Sequence, residues 1–228
     1  MSDATIKIRR TDGSYDSFVV KPSSRTTVLD ALEKLRTEQD HSLMYRHSCH
    51  HGSCGTCGMI VNGERKLACI THVNEAVDDS GEVQLDPLSP FEVVGDLAVN
   101  PESLYADFPA DSTYLRESEA NPEAKPPEEI EGFTRFENCV ECGICVSVCP
   151  VTQAFKGPAA LAAYNRELEK RPERAKELLP EVAGPDGVYG CDRALNCSQA
   201  CPLGVYPAKH IALLKRKVEQ EGLGEEAE

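Results

Sequence analysis

Eleven cysteines, and the way they are spaced, constrain this chain more than any other feature of it. They fall in three tight groups separated by long cysteine-free stretches: Cys49, Cys54 and Cys57 followed by Cys69; Cys139, Cys142, Cys145 and Cys149; and Cys191, Cys197 and Cys201. An odd count in tight groups does not read as a disulfide framework. The amino terminus, MSDATIKIRR, puts charges where a secretory signal has its apolar run, and nowhere do about 18 apolar residues follow one another. The chain is therefore expected to be intracellular and not membrane-spanning, in a compartment where disulfides are rare, and metal ligation is the better reading of its thiols.

Each group carries its own chemistry. The first reads CxxxxCxxC with a distant fourth cysteine, the plant-type spacing for a 2Fe-2S cluster held by Cys49, Cys54, Cys57 and Cys69. Its loop, SCHHGSCGTCG, is rich in Gly and Ser, so the backbone can wrap tightly and turn N–H groups toward sulfurs whose negative charge needs donors. A zinc site or four unrelated buried thiols are the competing reading, although zinc more often takes paired CxxC knuckles. Cys69 is expected to arrive from a neighbouring strand. His47, His50 and His51 invite comparison with Rieske centres, but four cysteines already complete the set, so these histidines are expected to be donors or solvent-facing loop residues.

The second group, CVECGICVSVCP, is the bacterial ferredoxin run, whose fourth cysteine ligates the other cluster of a pair. That crossing rule joins Cys139, Cys142 and Cys145 to Cys201 in a 4Fe-4S site, and Cys149 to Cys191 and Cys197 in another. A complete third run would have a cysteine at position 194, where this chain has Ala194. A cubane corner without a protein ligand tends to lose its iron, so a 3Fe-4S cluster is expected there. The alternative is a 4Fe-4S cluster whose odd iron is held by water or hydroxide.

Organisation along the chain agrees with two small domains. TIKIRRTDGSYDSFVVKP is two alternating runs around an Asp12-Gly13 turn, followed by an amphipathic TTVLDALEKLR capped by Thr26 or Thr27. GMIVNG, ERKLACITHV and GEVQLDPLS then read as short strands broken at Asn62-Gly63 and Ser80-Gly81. Residues 1–100 are expected to form a small α+β domain. Residues 101–138 hold ten acids and three bases, half of the net charge of −14, with five prolines, and read as a connector. Residues 139–228 turn helical in GPAALAAYNRELEKRPERAKELLPEV and PAKHIALLKRKVEQ, so an all-α domain is expected. With 38 acids against 24 bases and no basic patch interleaved with aromatics, nucleic acid is not an expected partner.

Taken together, SCHHGSCGTCGMIVNGERKLAC, then CxxCxxCxxxCP, then CxxxxxCxxxCP resemble the iron–sulfur subunits of succinate dehydrogenase and fumarate reductase. FEVVGDLAV and FKGPAALAAYNRE, which carry no ligand, are similar to family segments as well, so the resemblance covers nearly the whole chain. It implies an N-terminal β-grasp 2Fe-2S ferredoxin domain followed by an α-helical ferredoxin domain. It also implies docking between an FAD-containing flavoprotein subunit and a membrane anchor with a quinone site, and with haem b where the anchor carries it. The chain would lie at the cytoplasmic face of the membrane, peripheral, and relay electrons between FAD and quinone through 2Fe-2S, 4Fe-4S and 3Fe-4S clusters. No catalytic group for the dicarboxylate is expected on it. Cys57 stands where some relatives have Asp, which leans toward the menaquinone-linked branch. Where many ubiquinone-linked members have a Trp after Pro150, this chain reads VTQAFKG and has no Trp anywhere. Pro150 and Lys215 are the quinone-proximal positions the resemblance implies, with a solvated helix lysine the alternative for the latter. Two other classes compete: the small subunit of a different flavoenzyme or heterodisulfide-type reductase, which predicts a cysteine at 194 or a CCG-type motif, and a free multi-cluster ferredoxin carrier, which has no need of the helical extensions.

Overall fold

The computed structural model describes residues 3–110 and 139–224, so most of the connector lies outside the described residues. Two units result, one from residues 3–103 with 140–148, the other from 104–110, 139 and 149–224.

In the first unit the period-2 patterning does what it dictates. Strand β1 (Ala4–Arg9) buries Ala4, Ile6 and Ile8 and turns the intervening residues outward. It pairs antiparallel with β2 (Tyr15–Val20) across a turn in which the Asp12 carboxylate accepts the Ser14 N–H at 2.9 Å and Gly13 takes φ 86°. Helix α1 (Val28–Glu38) starts at Thr27, whose hydroxyl accepts the Asp30 N–H at 3.1 Å while the Asp30 carboxylate accepts the Thr27 N–H at 2.9 Å. Its buried face is Val28, Leu29, Ala31, Leu32 and Leu35, each large aliphatic contributing roughly 2 kcal/mol of burial.

Strands β3 (Gly58–Val61) and β4 (Glu64–Leu67) close on Asn62 and Gly63, both at positive φ as a primed two-residue turn requires. A short helix α2 (Val73–Ala76) leads to β5 (Glu82–Asp86), which pairs parallel with β1 and antiparallel with β3. The sheet order is β2-β1-β5-β3-β4, a mixed sheet with one crossover helix, the β-grasp arrangement. A separate hairpin, β6 (Glu92–Gly95) and β7 (Ala98–Asn100), forms within FEVVGDLAV. A one-turn helix α3 (Glu102–Tyr105) straddles the end of this stretch at residue 103, and α4 (Ile144–Ser147) is the last helix of this unit.

The second unit is helical. It contains α5 (Gly157–Lys170), α6 (Ala175–Val182), α7 (Asn196–Gln199) and α8 (Pro207–Gln220). Leu161, Tyr164 and Leu168 of α5, Leu178, Leu179 and Val182 of α6, and Ile211, Leu214 and Val218 of α8 share one core with Phe155 and Val188. A polar seam runs beside it: Asn165 donates to Glu169 at 2.8 Å, contacts the buried His210 ring at 2.9 Å and accepts from Lys217 at 2.9 Å. Glu167, fully buried on α5, is paired with Arg171 and with Arg174, the latter at 2.8 Å. Arg174 also donates to Glu177 and to the Ala110 carbonyl at 3.0 Å. Removing the acid leaves two guanidinium groups facing an apolar interior, although both still reach solvent at one edge. Glu167→Ala is therefore expected to destabilise this unit by about 3 kcal/mol, the lower end for a broken buried pair, read as a fall in thermal midpoint of several degrees. A change below about 1 kcal/mol would mean the pair is not what holds α5 to the arginines.

Candidate metal centres

Every cysteine of the chain is described and none is in a disulfide. Cys49, Cys54 and Cys57 of the first group sit on a loop between α1 and β3 that is pinned from outside. Asp96, buried in the β6–β7 turn, accepts the Thr11 N–H and hydroxyl, each at 3.0 Å, and the Met44 N–H at 3.0 Å, while Leu97 N–H donates to the Met44 carbonyl at 3.0 Å. The segment entering the cysteine loop is thus tied to two hairpins by one carboxylate that no motif singles out.

Inside the loop, the left-handed residues His50 (φ 63°), Gly52 (79°) and Gly55 (71°) curl the backbone so that its N–H groups face sulfur. Gly52 N–H donates to Cys69 Sγ at 3.2 Å, Ser53 N–H to Cys49 Sγ at 3.3 Å, His51 N–H to Cys49 Sγ at 3.5 Å and Cys49 N–H to Cys54 Sγ at 3.5 Å. Donation from His51, then Ser53, and the neighbouring Cys54 hold the Cys49 thiol down at about 5. Burial, with the nearby Cys69 and Cys54 sulfurs adding to it, pushes Cys57 up to about 12. Four converging sulfurs, one ready to be a thiolate and one too buried to ionise without a counter-charge, fit a cationic iron centre, which supplies the missing positive charge. Cys69 does not lie on a strand. Strand β4 ends at Leu67, and Ala68–Ile70 form a 3-10 turn, closed by Ala68 N–H donating to the Cys57 carbonyl at 3.2 Å and by the Thr71 hydroxyl donating to the Leu67 carbonyl at 2.9 Å. Of the histidines, His51 bonds the Cys49 carbonyl and, at 2.9 Å, the Ser53 hydroxyl, while His47 and His50 face Glu33.

The first unit also contains Cys142 and Cys145, where Gly143 (φ 75°) caps α4 and the Arg65 guanidinium donates to Ser147 at 3.3 Å. Their segment lies directly behind the first cysteine loop. A Cβ on Gly55 would stand 2.1 Å from the Val140 carbonyl oxygen and 3.0 Å from Cys142 Cα, and one on Gly58 would stand 3.0 Å from the Cys142 carbonyl oxygen. Backbone from two cysteine groups about 85 residues apart is thus in contact through two glycines, a proximity that no local pattern announces. Cys139 and Cys201 belong to the second unit, where Cys201 Sγ accepts the Val205 N–H at 3.3 Å.

Within the second unit Cys149, Cys191 and Cys197 line one small cavity together with Pro150 and Ala194. Burial raises the thiols of Cys149 and Cys197, and each feels the neighbouring Cys191 sulfur. The loop around Ala194 repeats the backbone of the complete run. Glu141 (φ 52°) and Gly143 (75°) are two and four residues after Cys139, and Arg193 (57°) and Leu195 (64°) are two and four residues after Cys191, with a one-turn helix following each. A left-handed leucine costs roughly 1–2 kcal/mol, so the shape is held although the cysteine at its centre is gone. Three thiols, an apolar fourth corner and a cluster-type loop fit an iron–sulfur centre with three protein ligands. The Lys215 Nζ lies 4.6 Å from the Tyr189 ring centroid, in a groove of about 310 Å³ that also includes Cys191, Arg193 and Leu195.

A β-grasp unit carrying a three-cysteine loop with a fourth cysteine beyond β4, and a helical unit with ferredoxin-type runs, define an iron–sulfur protein of the ferredoxin class. A family model described as "2Fe-2S iron-sulfur cluster binding domain" matches residues 5–106, and one described as "4Fe-4S dicluster domain" matches residues 135–205. The fumarate reductase iron–sulfur subunit of Mycobacterium tuberculosis is 33% identical over 211 residues, 89% of this chain and 85% of that one. The succinate dehydrogenase iron–sulfur subunit of Paracoccus denitrificans is 35% identical over 206 residues, 87% of this chain and 78% of that one. Among solved structures, a chain of the Mycobacterium smegmatis Sdh1 complex in the apo form superposes with a TM-score of 0.79 at 23% identity, covering 99% of each chain, a likeness of fold. The chain belongs to the family of iron–sulfur subunits of succinate dehydrogenases and fumarate reductases. It is thus a subunit of an oxidoreductase complex, with 2Fe-2S and 4Fe-4S binding domains. Among the described residues no helix is long and apolar enough to cross a membrane.

Proposed function

We propose that this chain relays single electrons between the FAD of a flavoprotein subunit and a quinone at a membrane anchor. It would lie peripherally at the cytoplasmic face, with domains at 1–100 and 139–228 joined by 101–138. In this reading Cys49, Cys54, Cys57 and Cys69 hold a 2Fe-2S cluster, Cys139, Cys142, Cys145 and Cys201 a 4Fe-4S cluster, and Cys149, Cys191 and Cys197 a 3Fe-4S cluster. Bound clusters supply the one-electron redox chemistry.

The protein's part is positioning and electrostatics. Loop N–H groups of His51, Gly52 and Ser53 offset the charge on the sulfurs and so set how readily an electron is held. The contact of Gly55 and Gly58 with Val140 and Cys142 keeps the first cysteine loop close to Cys142, and short-range electron transfer needs such proximity. Pro150, beside the three-cysteine cavity, and Lys215, held on Tyr189, are the groups offered to a quinone on the anchor side. The single observation that carries the three-cluster reading is the cavity bounded by three cysteines and Ala194, set in a loop that keeps the conformation of the complete run.

Iron analysis of the purified chain, or of its complex, tests the assignment. About nine iron atoms per chain are expected from the three ligand sets, with a near-isotropic paramagnetic signal from the oxidised protein. About ten irons without that signal would indicate a water-ligated 4Fe-4S cluster in the third site, and about four would sink the three-cluster reading.

A further inference from the structure

Glu33, His47 and His50 bring three potential metal-ligand atoms together outside the cysteine sets. Nδ1 of His47 lies 3.2 Å from Nε2 of His50, and Oε1 of Glu33 lies 3.6 Å from the first and 3.4 Å from the second. A tetrahedral zinc ion with ligand bonds of about 2.0–2.1 Å separates its ligand atoms by about 3.3–3.4 Å. The triangle already present therefore has nearly the edge lengths of one face of that tetrahedron.

The placement is built by the fold. Glu33 is carried by the rigid helix α1, whose opposite face is buried. Tyr45, buried itself, lies against the His47 ring with centroids 5.3 Å apart and planes 34° apart. His50 takes φ 63°, a left-handed conformation that histidine reaches more readily than most side chains, and its ring meets that of His47 edge to face at 84°. Edge-to-face rings can direct two nitrogen lone pairs at one point, which stacked rings cannot. All three side chains are 34–40% exposed, so a bound cation has access to solvent on its remaining side.

We propose that Glu33, His47 and His50 form a surface site for a divalent transition-metal ion of the zinc class, with Nδ1, Nε2 and Oε1 as ligands and the fourth position open to solvent. Two imidazoles disfavour magnesium and calcium, which take oxygen ligands, and favour zinc and, more strongly, copper. Three protein ligands with an open corner at the surface make the ion exchangeable rather than structural.

The full chain carrying its iron is titrated with Zn²⁺ in the presence of excess Mg²⁺, and iron and zinc are both counted after gel filtration in buffer that holds the same free Zn²⁺. One zinc per chain is expected, with unchanged iron content and visible spectrum. Glu33→Gln and His47→Gln each remove a direct ligand and are expected to weaken zinc binding by more than the roughly tenfold to hundredfold that loss of an outer-shell partner costs. His50→Asn keeps a residue that tolerates the left-handed backbone and should weaken it as much. With Cu²⁺ as the probe, the paramagnetic spectrum should show coupling to two imidazole nitrogens in the unaltered chain and to one in His47→Gln. Zinc uptake equal in all three variants, uptake accompanied by matching loss of iron, or no saturable binding below millimolar zinc would each overturn the site.

Discussion

Gly55→Ala should lose the iron of the first cysteine set and melt well below the unaltered protein. Gly55 stands at φ 71°, where an L side chain costs roughly 1–2 kcal/mol. The larger problem is what the new methyl meets: the Val140 carbonyl oxygen at 2.1 Å and the Cα and Cβ of Cys142 at 3.0 Å. These are backbone and near-backbone atoms, unable to swing aside as the tip of a long side chain can. Relief requires moving either the Cys54–Cys57 turn or the Val140–Cys142 segment, and each displaces sulfurs. With overpacking of about 1–3 kcal/mol added to the strain, the total is roughly 3 kcal/mol, a fall of about 6–12 °C in thermal midpoint. Gly63→Ala is the control. Gly63 also has positive φ, at 81°, but nothing lies within 4 Å of where its methyl would stand, so it should show the strain cost alone with full iron content. Should Gly55→Ala keep its iron and melt within a degree or two of Gly63→Ala, the back-to-back packing of the two loops is not a constraint on the site.

That packing marks the boundary of what sequence reasoning reaches here. Strands β1 and β3 with the Asn62-Gly63 turn, α1 with its Thr27 cap, and α8 at Pro207–Gln220 are legible because the forces that shape them act over a few residues. The three-cysteine cavity is half legible. Cys149, Cys191 and Cys197 are joined in sequence by the crossing rule, but nothing in CDRALNC announces that Leu195 would accept a left-handed backbone. The long-range ties are not legible at all. Asp96 is an ordinary aspartate in a hairpin turn until Thr11 and Met44 arrive from 85 and 52 residues away. The alternation in KLACI places Cys69 on a strand, yet the Cys57 carbonyl captures the Ala68 N–H and the strand has ended by Leu67. Glu33 is one position of the amphipathic stretch TTVLDALEKLR, and only the folded loop sets two histidines against it.

Ala194→Cys should convert the third set from three ligands to four. The structural requirement for such a conversion is that the backbone need not move. It is met on two counts: Arg193 and Leu195 already hold the left-handed angles of Glu141 and Gly143 on either side of Cys142, and Ala194 lines the same cavity as Cys149, Cys191 and Cys197. A cysteine differs from alanine by one sulfur atom, so the substitution fills the apolar corner and displaces no large group. Iron should rise from about nine to about ten per chain, and the near-isotropic signal of the oxidised protein should be replaced by a reduced 4Fe-4S signal. A fourth thiolate adds negative charge, which favours the oxidised state and lowers the potential of that centre. In the assembled complex quinone reduction should then slow, while reduction of the first centre should be little changed, because Cys49 to Cys69 lie in the other unit. If iron content and signal are the same in both proteins, the vacant corner at position 194 does not control the nuclearity of the cluster, and the assignment of Cys149, Cys191 and Cys197 as its three ligands fails with it.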